Sequence, residues 1–108
     1  MTTTIFNSEL SATINHKGAE LVSLKKINSS KEYIWEGNPF FWGKHSPILF
    51  PIVGTLKNDS YTYKNNPYTL SRHGFARDMD FNLIDSTQNM VILSLSSNAV
   101  TKERFPFE

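Results

Sequence analysis

Apolar side chains recur at alternate positions along most of this chain, and that period of two narrows its fold more than any other feature. Leu10, Ala12 and Ile14 are the first clear run. Alternation puts successive side chains on opposite faces of an extended strand, whereas a helix needs apolar residues at i, i+3 and i+4, a pattern rarely sustained here. Asn15-His16-Lys17-Gly18 supplies a reversal, because Asn and Gly tolerate positive φ, and Ala19 to Ile27 reads as the returning strand of a hairpin. A turn at Asn28-Ser29-Ser30-Lys31 leads to a short strand at Glu32-Tyr33-Ile34-Trp35, then to an aromatic loop containing Gly37, Pro39 and Gly43.

From Lys44 to Gly54 the pattern changes. Pro47 and Pro51 interrupt the apolar run Ile48-Leu49-Phe50 and Ile52-Val53. Proline has no N–H to give a ladder, so this segment suits an edge or an irregular buried connection better than a central strand. Tyr61-Thr62-Tyr63 and Pro67-Tyr68-Thr69-Leu70 flank Lys64-Asn65-Asn66, which predicts a second hairpin whose paired asparagines take the left-handed conformation. After a charged loop, Ser71 to Asp78, strands are expected at Asp80–Ile84 and Met90–Ser96 around a polar turn at Thr87–Asn89. Ala99 to Arg104 makes at most one helical turn, and the aromatic ending Phe105-Pro106-Phe107 implies a core whose remaining strands lie beyond Glu108. The fold class is mainly β.

At 108 residues, 39% hydrophobic and 13% aromatic, the chain is long and apolar enough to fold as one domain and no more. Eleven Lys and Arg against ten Asp and Glu give a formal net charge of +1. Lys25-Lys26 is the one adjacent basic pair, which argues against a surface that tracks nucleic-acid phosphates. There is no cysteine, so no disulfide framework or thiolate metal site is available. The first ten residues carry neither the basic nor the apolar region of a signal peptide, and no run reaches membrane-spanning length; the expected compartment is the cytoplasm.

The densest polar cluster is Ser71-Arg72-His73-Gly74-Phe75-Ala76-Arg77-Asp78. An imidazole can donate to an oxygen near neutral pH, and the following glycine lets a ligand approach the backbone. The plainer reading is a surface loop with an Arg77–Asp78 or Arg72–Asp78 ion pair. His16, in a predicted turn, and His45, in a Ser-Pro loop, read as solvated side chains, and the three histidines have no metal-ligand spacing. Trp35, Phe40, Phe41 and Trp42 crowd one short segment; they are expected in the core, the alternative being a ring that stacks on a sugar.

Four segments together, Gly18-Ala19-Glu20-Leu21, Tyr33-Ile34-Trp35, Ser46-Pro47-Ile48-Leu49-Phe50-Pro51-Ile52-Val53-Gly54 and Arg72-His73-Gly74-Phe75-Ala76-Arg77-Asp78, resemble the LacX-like branch of the aldose 1-epimerases in order and spacing. The resemblance runs from about Phe6 to the end. It implies that residues 1–108 are the N-terminal portion of one galactose mutarotase-like β-supersandwich, largely antiparallel, whose concave face binds a hexopyranose without metal or organic cofactor. The implied reaction interconverts α and β anomers: a base takes the anomeric hydroxyl proton, an acid protonates the ring oxygen, and the ring opens, rotates and recloses. His73 matches the earlier of the family's two active-site histidines, a hydrogen-bond donor at the sugar ring. Arg77 would contact a sugar hydroxyl, or a phosphate as in the related hexose-6-phosphate 1-epimerases. The family's glutamate base and second histidine lie later in the domain. Glu103 and Glu108 match no motif, so the 108 residues are expected to be inactive alone. Thr55 stands where many relatives carry Arg. The competing expectation is a non-catalytic carbohydrate-binding protein on the same scaffold.

Overall fold

In the computed structural model, which describes residues 1–108, β1 (Thr2–Phe6), β2 (Leu10–Asn15) and β3 (Glu20–Lys26) form an antiparallel meander. Their register sets Ile5 opposite Ala12 and Ala12 opposite Leu24. An irregularity between Thr13 and Ile14 then sets Ile14 opposite Leu21, three residues from Leu24. An odd spacing of that kind requires a bulge, because one extra residue on β3 restores the alternation of faces. Between β2 and β3, positive φ falls on Gly18 and Ala19 rather than on Asn15.

The second predicted hairpin forms as β4 (Ser60–Tyr63) and β5 (Asn66–Thr69). Lys64 and Asn65 take the positive φ values of its two-residue turn, 49° and 65°, while Asn66 joins the strand. The third, β6 (Asn82–Ser86) and β7 (Val91–Ser94), starts two residues later and stops two earlier than the apolar pattern suggests. The expected strand at Glu32–Trp35 is a single bridge between Glu32 and Lys25. Its cause is Glu32 itself, whose carboxylate accepts the Leu24 and Ile34 N–H groups (2.7 and 2.9 Å) and the Ser23 hydroxyl, replacing ladder bonds with side-chain bonds.

The proline-interrupted segment makes no ladder either. Phe50 forms one parallel bridge with Gly74, and its carbonyl accepts the N–H groups of Phe75 (3.0 Å) and Ala76 (3.2 Å). The short helix α1 (Ala99–Arg104) forms where one turn was expected, started by a capping box in which Asn98 accepts from the Thr101 N–H and Thr101 Oγ1 accepts from the Asn98 N–H. Backbone bonds from Phe81 to His16 and from Gly18 to Met79 hang the region before β6 from the β2–β3 turn.

The molecule is a slab of 57 × 33 × 17 Å with a radius of gyration of 16.7 Å. A compact chain of this length would have a radius near about 13 Å. The apolar core is correspondingly thin: Leu70, Phe75 and Ala76 are its fully buried members. Phe75 and Ala76 belong to the segment read from sequence as a charged surface loop, and a chain of aromatic edges runs from Phe75 through Phe50 and Phe105 to Phe107.

Candidate functional site

His73 stands at the entrance to that core segment with φ +65°, a left-handed conformation uncommon for a side chain of its size. Two bonds to one residue hold it there. The His73 N–H donates to the Gly54 carbonyl and the Gly54 N–H donates to His73 Nδ1, both at 2.8 Å. Accepting at Nδ1 fixes the neutral tautomer that carries its proton on Nε2. Arg72 Nε–H is directed at the other ring nitrogen, Nε2, at 3.3 Å; a neutral imidazole accepts at one nitrogen only, and the shorter Gly54 bond is the one that assigns the tautomer. With Nδ1 taken by Gly54, the ring proton sits on Nε2, where Arg72 Nε is its neighbour.

Its surroundings favour the neutral ring. Loss of solvent lowers the His73 pKa below the usual histidine value, and the Arg72 and Arg77 guanidiniums lower it further. Protonation would also put a hydrogen on Nδ1 facing the Gly54 N–H.

Arg77 sits in a 3₁₀ turn, Ala76–Asp78, directly after the buried Phe75. Its Nη2 reaches the Arg72 carbonyl at 3.3 Å, while Nε is buried without a hydrogen-bond partner and lies 3.8 Å from Asp78 Oδ2. The better partner of Asp78 is Lys44, whose ammonium donates to Oδ1 at 3.0 Å; no Arg72–Asp78 pair forms. Arg72, His73 and Arg77 thus gather three cationic or donor groups on one short segment.

Several sequence expectations change here. His16 is buried, 6% exposed, with Nε2 2.8 Å from Thr3 Oγ1; its N–H continues the β1–β2 ladder to the Met1 carbonyl and its carbonyl accepts the Phe81 N–H, which ties it to both β1 and the segment before β6. His45 is half-buried against Gly37, its Nδ1 without a partner. The aromatic cluster is not core: Phe40 is 85% exposed and Phe41 73%, and only Trp35 is anchored, by its indole N–H to the Lys44 carbonyl. None of the four rings lines the main cleft. That cleft, about 370 Å³, lies between Ile48, Phe50, Phe75, Phe81, Leu95 and Phe105 and is mostly apolar.

Sequence reasoning quoted Gly54 and Glu20 without giving either a role. Gly54 orients the histidine; Glu20, buried at the start of β3, accepts two backbone N–H groups from the next segment. The signal for Gly54 was its place at the end of a proline-interrupted run, where no ladder could satisfy its N–H. No three His, Asp or Glu side chains gather as a metal site, and no helix is long and apolar enough to cross a membrane.

The family model described as "Aldose 1-epimerase" matches residues 1–108. Protein LacX (chromosomal) of Lactococcus lactis subsp. lactis is 33% identical over 113 residues, covering all of this chain and 38% of that protein. A galactose mutarotase related enzyme from Lactobacillus acidophilus superposes with a TM-score of 0.96 at 44% identity, over 99% of this chain and 36% of that one. A galactose mutarotase-like protein from Lactobacillus casei gives 0.94 at 42%, with the same coverage of 99% and 36%. The chain spans well under half the length of these relatives, and its mostly antiparallel strands follow theirs. It belongs to the aldose 1-epimerase family.

Proposed function

We propose that these 108 residues are the N-terminal portion of one aldose 1-epimerase-like domain and supply part of the sugar-binding face of a cytoplasmic protein that interconverts hexose anomers. One observation carries the reading: the Gly54 N–H holds His73 in the tautomer that offers Nε2–H as a donor. A pyranose ring oxygen is an acceptor without a proton of its own, and a neutral imidazole N–H matches it. As the ring opens, that oxygen gains negative charge, so a donor already aimed at it stabilises the change more than it stabilises the closed sugar. Arg77 adds guanidinium donors for neighbouring hydroxyls.

A binding role for this part of the face is favoured by Asp78, the carboxylate of the His73–Arg77 segment, which is engaged by the Lys44 ammonium at 3.0 Å. The expected outcome is therefore binding without turnover. In a titration with D-glucose followed by NMR, the His73 and Arg77 side-chain signals shift together, while polarimetry shows no faster α-glucose mutarotation by the 108-residue chain. Glucose 6-phosphate in the same titration tests the phosphorylated alternative, which gains if Arg72 and Arg77 respond to it more strongly. Unmoved His73 and Arg77 signals with both sugars would remove these residues from the site.

A further inference from the structure

Glu20 is 8% exposed, and a carboxylate in that position is costly unless donors saturate it. Its Oε1 accepts the N–H groups of His45 (2.6 Å) and Ser46 (3.0 Å), and the Ser46 hydroxyl donates to the Leu21 carbonyl at 2.7 Å. Hydrogen bonds to an ionised acceptor are the strong kind. They dock onto β3 a stretch of chain that has no ladder of its own.

The residue just before that clamp is Lys44. Its carbonyl accepts the Trp35 indole N–H at 2.7 Å, and its ammonium donates to Asp78 Oδ1 at 3.0 Å. The Asp78 side of this pair hangs from the same short stretch. The Gly18 N–H donates to the Met79 carbonyl at 2.8 Å, and the Arg77 carbonyl packs so close that a Cβ on Gly18 would come within 2.7 Å of it. Gly18 to Glu20 therefore carries both halves of the Lys44–Asp78 ion pair.

The consequence falls on Arg77. Asp78 is its neighbour in sequence and the carboxylate with which a guanidinium would naturally pair in a fork. With Lys44 on Oδ1, the Arg77 Nε makes a long ion pair with Oδ2 at 3.8 Å, beyond hydrogen-bond range, and has no hydrogen-bond partner.

We propose that Glu20 is a positioning residue for the sugar site: by fixing His45 and Ser46 it keeps Lys44 on Asp78 Oδ1, and so holds that carboxylate at a long ion-pair distance from Arg77 Nε, short of a hydrogen bond. This rests on the reading of Arg77 as a sugar contact. The ion pair is itself half-exposed and worth little as stability, so its role is to occupy Asp78.

The test compares Glu20→Ala, Glu20→Gln and Lys44→Met in the 108-residue chain. Glu20→Ala and Lys44→Met release Asp78, and the Arg77 Nε–Hε NMR signal moves downfield as the Arg77–Asp78 pair closes. D-glucose binding then weakens about tenfold, the equivalent of one charge-assisted hydrogen bond. Glu20→Gln keeps an oxygen where Oε1 accepts and restores the native Arg77 signal. The His73 ring signals stay in place in all three, which separates repositioning of Arg77 from general disorder. An unchanged Arg77 signal in Lys44→Met overturns the proposal, and because that substitution removes no buried group it decides the matter even if Glu20→Ala does not fold. Glu20→Gln behaving as Glu20→Ala overturns it too. If Arg77 responds as expected but the unmodified chain binds no glucose, the clamp stands and the sugar-binding function falls.

Discussion

Replacing Gly74 by alanine tests how the histidine segment is held, and Gly54→Ala is its internal control. Both glycines have positive φ, +71° and +84°, so each alanine meets the same left-handed backbone penalty of roughly 1–2 kcal/mol. They differ in surroundings. Around Gly54 a new Cβ finds nothing within 4 Å, whereas at Gly74 it would overlap the Phe50 carbonyl oxygen and come within 2.6 Å of Phe50 C and Pro51 Cδ. These are backbone and ring atoms that cannot swing aside, so the Phe50–Pro51 segment and the Gly74 segment must part. The bonds from the Phe75 and Ala76 N–H groups to Phe50 O are then lost. At about 1 kcal/mol net for each such bond, Gly74→Ala should cost about 3–4 kcal/mol in all, against about 1–2 for Gly54→Ala. Urea unfolding followed by tryptophan fluorescence should separate the two variants by about 2 kcal/mol, about thirtyfold in the unfolding equilibrium. If Gly74→Ala is no more destabilising than Gly54→Ala, the close approach of Gly74 to Phe50 is not what holds the segment.

The remaining predictions concern titration. The ¹⁵N shifts of His73 should report a neutral ring protonated at Nε2, with a pKa below the usual histidine value. Because the folded pKa is lowered, the unfolded chain takes up the proton first. The His73 contribution to stability is complete above the unfolded pKa of roughly 6.5 and is lost as pH falls through the folded value; a rise in stability on acidification would contradict this. Glu32, held by the Ser23 hydroxyl and then by the Ile34 and Leu24 N–H groups, should titrate at about 2 in carboxyl ¹³C spectra. Its contribution is present above the unfolded carboxylate pKa of roughly 4.3 and disappears as pH falls towards 2. An ordinary Glu32 titration would show that the three donors do not hold the carboxylate.

Alternation and turn chemistry alone placed three of the four strand pairings and the irregular middle segment, because each depends on neighbours close in sequence; β1 and its pairing with β2 were not read. Leu10, Ala12 and Ile14 can share a face only in a strand, and Pro47 and Pro51 cannot donate to a ladder wherever they are. The four motif segments likewise carried the family, and with it the candidates His73 and Arg77. The sequence could not tell which polar groups would be drawn inward. His16, read as solvated, is buried where it bonds to both Met1 and Phe81, and Phe40 and Phe41, read as core, stand exposed. Glu32 ended a predicted strand by binding backbone across the chain. The site depends most on such distant pairings. Gly54 lies 19 residues from His73, Glu20 lies 25 from His45, and Lys44 lies 34 from Asp78. Residue identity made His73 a possible donor, but its tautomer, its depressed pKa and the long Arg77–Asp78 pair follow from which N–H and which carboxylate the fold brings beside them, information that no local pattern holds.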